Sequence, residues 1–155
     1  MRFYQGQHAF YAGIDLHART MHVCILDQAG HTVFDQGVPC RPEALLRASQ
    51  PDRDRLVIAA ECLFAGYGVA DLCAAQDIAF VLGHALYLKA IHGGKAKNDR
   101  SDAGKIARRL RGGTLPLAYA YPKGMRKTRD LLRRRTYLVR KRAELLTHRP
   151  ILNAQ

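Results

Sequence analysis

Four carboxylates carry the chemistry that this sequence suggests. Asp15 lies near the end of the apolar segment AFYAGIDL (9–16), and Glu61 closes RLVIAAE (55–61). Asp99 and Asp102 stand three apart in NDRSDA (98–103), a spacing that puts both on one face of a helix. Ligand chemistry in mixed sheets gathers at the carboxyl ends of strands, so Asp15 and Glu61 would face one site if their strands are neighbours. Carboxylates brought together repel, and some must take up protons unless a cation binds. Mg²⁺ meets that need because it prefers hard oxygen ligands and keeps several waters. Two such ions about 3.5–4 Å apart can clamp the attacking and leaving oxygens of a phosphodiester.

Each acid also has a plainer role. Asp15 could be a turn residue at a strand end, and Glu61 a partnered structural acid. Asn98 or Asp99 makes a good helix N-cap, and acids are favourable near the positive end of a helix dipole. Taken alone, Asp99 and Asp102 read best as capping residues.

The charge distribution points to a polyanionic partner. The 155 residues carry a net charge of +12. Residues 1–88 hold six Arg and no Lys against nine acids, a net of −3. Residues 89–155 hold nineteen Lys and Arg against four acids, a net of +15. Neutralising phosphates releases condensed counterions, so a basic segment of this kind favours nucleic acid. A basic membrane-binding segment is the rival reading, and no lipidation motif accompanies the charge. Lys95 and Lys97 in the loop HGGKAKN (92–98), with Arg100, Lys105, Arg108 and Arg109 beyond it, would hold a strand beside the carboxylates. Arg133 and Arg134 add to this surface from a later helix.

Other chemistries find less support. Cys24, Cys40, Cys62 and Cys73 form no C-x-x-C pair, and reduced thiols are expected, as in a reducing cytoplasm. MRFYQGQHAF has no apolar core of a signal peptide, and no apolar run reaches the roughly 20 residues of a membrane span. Gly93-Gly94-Lys95 lacks the full P-loop spacing. His17 and His22 read as lone histidines, and Ser49 and Ser101 have no histidine partner in view. Tyr119 and Tyr121 are expected in the core rather than stacked on bases. A sugar-kinase or actin-like ATPase fragment would need a Gly-rich phosphate turn just after Asp15, where Leu16-His17-Ala18-Arg19-Thr20 has no glycine.

The elements that must position these residues follow from hydrophobic periodicity. Strands are predicted at 9–16, 21–28 and 31–38, with a tight turn at Ala29-Gly30, as an antiparallel meander. A short helix with Pro at its start covers 42–49, and Pro51-Asp52 is a loop. Further segments are a buried strand at 55–61, a helix at 66–76, a strand at 78–83 and a helix at 84–91. A helix restarts at Asn98 or Asp99 and ends at Gly112-Gly113. After the connector TLPLAYAYP (114–122), a long basic helix runs from 123 to about 148. Leu131, Leu138 and Leu145 recur along it every seven residues, as do Leu132, Val139 and Leu146, so it should pack on a partner helix in a homodimer. The order β-β-β-α-β-α-β-α predicts an α/β domain with a mixed sheet flanked by helices.

Three segments together resemble a known family. YAGIDLH (11–17), VIAAE (57–61) and KAKNDRSDA (95–103) are similar to motifs of the DEDD transposases of bacterial insertion sequences, the insertion-sequence-110 type that includes the pilin gene-inverting recombinases. The third motif is the most specific; Asn98 stands where relatives often have Thr. The resemblance covers about 9–148. It implies an RNase H-like fold, similar to the Holliday-junction resolvases, over 9–113. A connector (114–122) and a basic helical segment (123–155) that opens a dimerisation region follow. It implies Asp15, Glu61, Asp99 and Asp102 as catalytic and metal-binding residues, with Mg²⁺ or Mn²⁺ as cofactor.

The implied function is metal-dependent cleavage and transfer of DNA strands for mobility of the element. The implied partners are the element's ends, its target DNA and a structured guide RNA, in a bacterial cytoplasm at the nucleoid. Relatives continue into a second, serine-bearing domain, and Gln155 ends this chain before it. The expectation is a chain that binds metal and nucleic acid but does not complete transposition alone. A stand-alone structure-specific nuclease of the resolvase type and a non-catalytic nucleic-acid-binding module are the alternatives.

Overall fold

A computed structural model describes residues 2–61, 66–91 and 99–153; at 51, 52, 89–91, 99–101 and 149–153 it describes the backbone alone. The first three strands are β1 (Phe10–Leu16), β2 (Thr20–Asp27) and β3 (Thr32–Pro39). They form the expected meander, with β1 pairing β2 and β2 pairing β3, both antiparallel. The β2–β3 turn closes on Asp27, whose carboxylate accepts from the N–H groups of Gly30 and His31 at 2.7 and 2.8 Å. Gly30 takes φ +97°, a conformation open to glycine without steric cost.

Helix α1 (Pro42–Ser49) begins at a proline, whose missing N–H costs nothing in a first turn. The predicted loop at Pro51-Asp52 is instead part of a 3-10 helix over Gln50–Arg55. Next come β4 (Leu56–Glu61), α2 (Gly66–Ala75), β5 (Ala79–Gly83) and α3 (Ala85–Ile91). The polypeptide continues with α4 (Asp99–Arg111) and α5 (Lys123–Asn153). The last helix runs past His148 to Asn153, beyond the sequence expectation.

The five strands form one mixed sheet in the order β3-β2-β1-β4-β5, with β4 parallel to β1 and β5 parallel to β4. This is the strand order of the RNase H-like fold, and the α/β class read from the sequence stands. Beyond β5, Leu117 adds an isolated antiparallel bridge to Gly83, and Phe3 bridges Pro116.

The sheet has an apolar layer on each side. Ala12, Ile14, Val23, Ile25, Ile58 and Ala60 face Leu45 of α1 and Val69 and Cys73 of α2. Alternate residues on the other side, Tyr11, Val57, Ala59 and Val81, meet Ile106 and Leu110 of α4 and Leu88 of α3. Period-two alternation explains how one strand feeds both layers. β4, buried on both faces along LVIAA, reads as a continuous apolar run for that reason.

The chain divides into two compact units, 1–120 and 121–155. The second is mainly α5, 31 residues and roughly 46 Å long at 1.5 Å per residue. No helix among the described residues is long and apolar enough to cross a membrane.

Candidate functional site

The parallel ladder between β1 and β4 sets Gly13 opposite Ala59 and Ile14 opposite Ala60. One residue further along each strand come Asp15 and Glu61, which continuing the same register would set level at the carboxyl ends. Neighbouring strands lie about 4.8 Å apart, and residues level in a parallel pair point to the same side. That side follows from the alternation. Ile14 and Ala60 point toward α1 and α2, so Asp15 and Glu61 point toward the layer that α4 covers.

Helix α4 lies on β1 at Gly13. A Cβ at this glycine would come within 2.2 Å of the Ala103 carbonyl oxygen and 2.5 Å of the Ala107 nitrogen. The missing side chain thus lets the helix backbone settle on the strand. The helix's direction is fixed at its far end, where Arg111 lies against Gly30 and donates to the Gln28 carbonyl at 3.2 Å. The β2–β3 turn sits at the Phe10 end of β1, since Phe10 pairs with Asp27. Helix α4 therefore runs opposite to β1, and its amino-terminal end lies toward Asp15. Asp102 precedes Ala103 on that end, and Asp99 begins the helix.

The immediate surroundings of the acids are polar. The His17 Nδ1 lies 3.9 Å from the Asp15 carboxylate, whose side chain is 14% exposed. Glu61 is half-buried. Asp102 pairs with the Lys105 ammonium at 2.7 Å, one turn along α4. The side chains of Asp99 and Arg100, and all of Lys95 and Lys97, lie outside the described residues. Among the described residues, no group of three His, Cys, Asp or Glu side chains is arranged to hold a metal ion.

The remaining basic residues divide by location. Lys105 is engaged with Asp102, Arg108 folds back over Gly104 of its own helix, and Arg109 is half-buried. Arg133 and Arg134 are exposed on α5. Consecutive helical residues point about 100° apart, so these two arginines serve different faces.

Sequence reasoning missed one pair beside Asp15. His22 is the register partner of Asp15 across the hairpin, and its Nε2 lies 2.8 Å from Asp35 Oδ1 on β3. Opposed residues of an antiparallel pair share a face, so His22 and Asp35 belong to the same polar row. The signal was present: counting outward from the turn at His17–Thr20 sets His22 against Asp15, and counting outward from the Asp27–His31 turn brings Asp35 beside it. Tyr119, expected in the core, is instead 63% exposed, because the connector there runs over the surface.

Cys24 and Cys73 are buried cysteines outside any disulfide and Cys40 is a half-buried one, while Cys62 lies outside the described residues. Burial pushes the Cys73 thiol up to about 12, so it stays protonated and inert.

A search among curated proteins returned no match. The family model of the IS110-type DEDD transposases, described as a transposase, matches residues 12–149, which takes in β1, β4, α4 and most of α5. With a match over most of its length, the chain belongs to the IS110-type DEDD transposase family.

Proposed function

We propose that residues 9–113 form a metal-dependent catalytic domain that cleaves and transfers DNA strands, with Asp15, Glu61, Asp99 and Asp102 holding Mg²⁺ or Mn²⁺. The observation that supports this most is the parallel register of β1 and β4 through Ile14–Ala60, one residue before Asp15 and Glu61, with α4 lying on β1 at Gly13. Carboxylate oxygens are hard donors and suit a hard divalent cation. A bound divalent cation supplies charge neutralisation and polarisation of a phosphodiester.

The chain's own contribution is positional. β1 and β4 fix two carboxylates on a rigid sheet, and α4 brings its acids in from above. Lys105 neutralises Asp102 in the absence of a cation, and basic residues after 94 supply phosphate contacts. DNA is the partner that the family implies. A structured guide RNA and a homodimer through α5 complete the reading. The exposed residues Leu131, Leu138 and Leu145 support the homodimer, since they form a stripe that α5 leaves uncovered.

Thermal unfolding with and without Mn²⁺ tests the metal centre. A site that binds only the folded chain raises the melting temperature, by about 2.7 kcal/mol of stability at a hundred times Kd. The rise should vanish in Asp15→Asn. No rise in the unaltered protein would favour a non-catalytic binding module. Cleavage of four-way junctions without element ends would favour a stand-alone resolvase-type nuclease.

A further inference from the structure

Helix α5 has two grooves, centred roughly 130° apart around its axis. One is lined by Leu131, Leu138 and Val139 with Arg134, Arg135 and Arg142. The other is lined by Tyr121, Arg129, Arg133, Tyr137 and Arg140, together with Met125 and Leu132. At 100° per residue, Arg129, Arg133, Tyr137 and Arg140 fall within an arc of roughly 80°, and its centre lies about half a turn from the leucine stripe. A second copy packed on the leucine rows would reach Leu132 at the edge of this groove and leave Arg129, Arg133, Tyr137 and Arg140 open.

We propose that this second face binds an unpaired DNA strand, with bases stacked on the tyrosines and phosphates held by the arginines. Tyr137 is 59% exposed, although a tyrosine ring normally gains by burial. Arg133 lies one turn before it and Arg140 one turn after, so cations flank the ring along the helix axis. Tyr121 already carries such a stack, with the Arg129 guanidinium 5.2 Å from its ring centroid. Arg126 donates to the Tyr121 carbonyl at 2.8 Å and secures that end.

The charge is complementary. Residues 123–153 hold eleven Lys and Arg against Asp130 and Glu144, and these acids pair with Arg129 and Lys141. Bases in a duplex are already stacked on each other, whereas an unpaired base offers a free face to an aromatic ring. Cationic residues alone would serve a duplex equally well; the exposed tyrosine is what selects a single strand.

This inference rests on the reading that the chain acts on DNA, but it needs no metal centre. The experiment is anisotropy of labelled oligothymidylate with the full chain in EDTA, so a failed metal test leaves it untouched. Tyr137→Ala should weaken binding about tenfold, as stacking contributes about 1–3 kcal/mol per base. Tyr137→Phe should bind like the unaltered protein, and duplex of equal length should bind Tyr137→Ala unchanged. Arg133→Ala with Arg140→Ala should weaken both ligands and reduce the salt slope for single strands by about 0.7 per lost phosphate contact. Circular dichroism confirms that α5 remains helical in each variant.

Three outcomes would overturn the proposal. One is oligothymidylate binding indifferent to Tyr137→Ala. Another is a change of oligomeric mass in Tyr137→Ala with DNA binding intact, which would make the face an interface between copies. The last is a Tyr137-dependent preference for oligouridylate over oligothymidylate, which would make the ligand RNA.

Discussion

Asp15 and Glu61 each follow the Ile14–Ala60 pair by one residue on two parallel strands, so strand alternation turns both toward the side of the sheet opposite Ile14 and Ala60. Both belong to the proposed ligand set, so losing one carboxylate should disable metal binding. Glu61→Gln is expected to lose the rise in melting temperature that Mn²⁺ gives the unaltered chain. A variant that responds to Mn²⁺ as the unaltered chain does would remove Glu61 from the proposed ligand set.

Gly13 is the point where α4 rests on the sheet. Its substitution by alanine pushes a methyl group into backbone atoms of Ala103 and Ala107, which cannot swing aside as a flexible side chain can. Overpacking of this kind costs about 1–3 kcal/mol and sometimes more. Urea unfolding of Gly13→Ala should show a lower midpoint. Any DNA cleavage should fall further than stability does, because α4 must lift away from Asp15. An unchanged midpoint would mean that the helix does not sit on β1 as described.

His8 makes stability depend on pH. Its Nε2 lies 2.6 Å from the Tyr4 hydroxyl, and its backbone N–H donates to the Tyr11 hydroxyl at 2.9 Å. Burial holds the His8 pKa below the usual 6.5, so the folded chain favours the neutral ring. As pH falls through 6.5 the unfolded chain takes up this proton first. The stabilisation is present above that pH and is lost below it, toward the folded value. Urea midpoints should decline between pH 7 and pH 5, and His8→Gln should decline less over the same range.

The leucine stripe on α5 predicts self-association. Leu131, Leu138 and Leu145 are 67%, 56% and 71% exposed, an unusual fate for three leucines on one helix face. Leu138→Lys should convert a dimer to a monomer by light scattering, with helicity retained. The same mass for both proteins would rule out this packing.

Much of the sheet was legible because strand signals are local. The runs AFYAGIDL and RLVIAAE announce buried strands, and Pro42 and Gly112 mark helix ends. The acids at 15 and 61 stood out as charges closing apolar runs. Pairing was harder to read, since which strand lies beside β1 depends on contacts far apart in the chain. The role of Gly13 is invisible without α4 above it, and within a strand pattern it reads as filler. The His22–Asp35 pair needed the hairpin register, which only the position of the Asp27–His31 turn discloses. The 3-10 helix over Gln50–Arg55 escaped because Pro51 and two aspartates read as loop chemistry. Tyr119 was misplaced because aromatic content alone does not tell a core connector from one on the surface.

The long crossover between β1 and β4 has a consequence for how the molecule comes to life. Its two acids are supplied by strands with two further strands and a helix between them, and the covering helix arrives later still. No short peptide cut from this polypeptide can bring those groups together. A half-translated or proteolysed copy would therefore lack the proposed reactivity, which would switch on only in a molecule whose distant parts have already found each other.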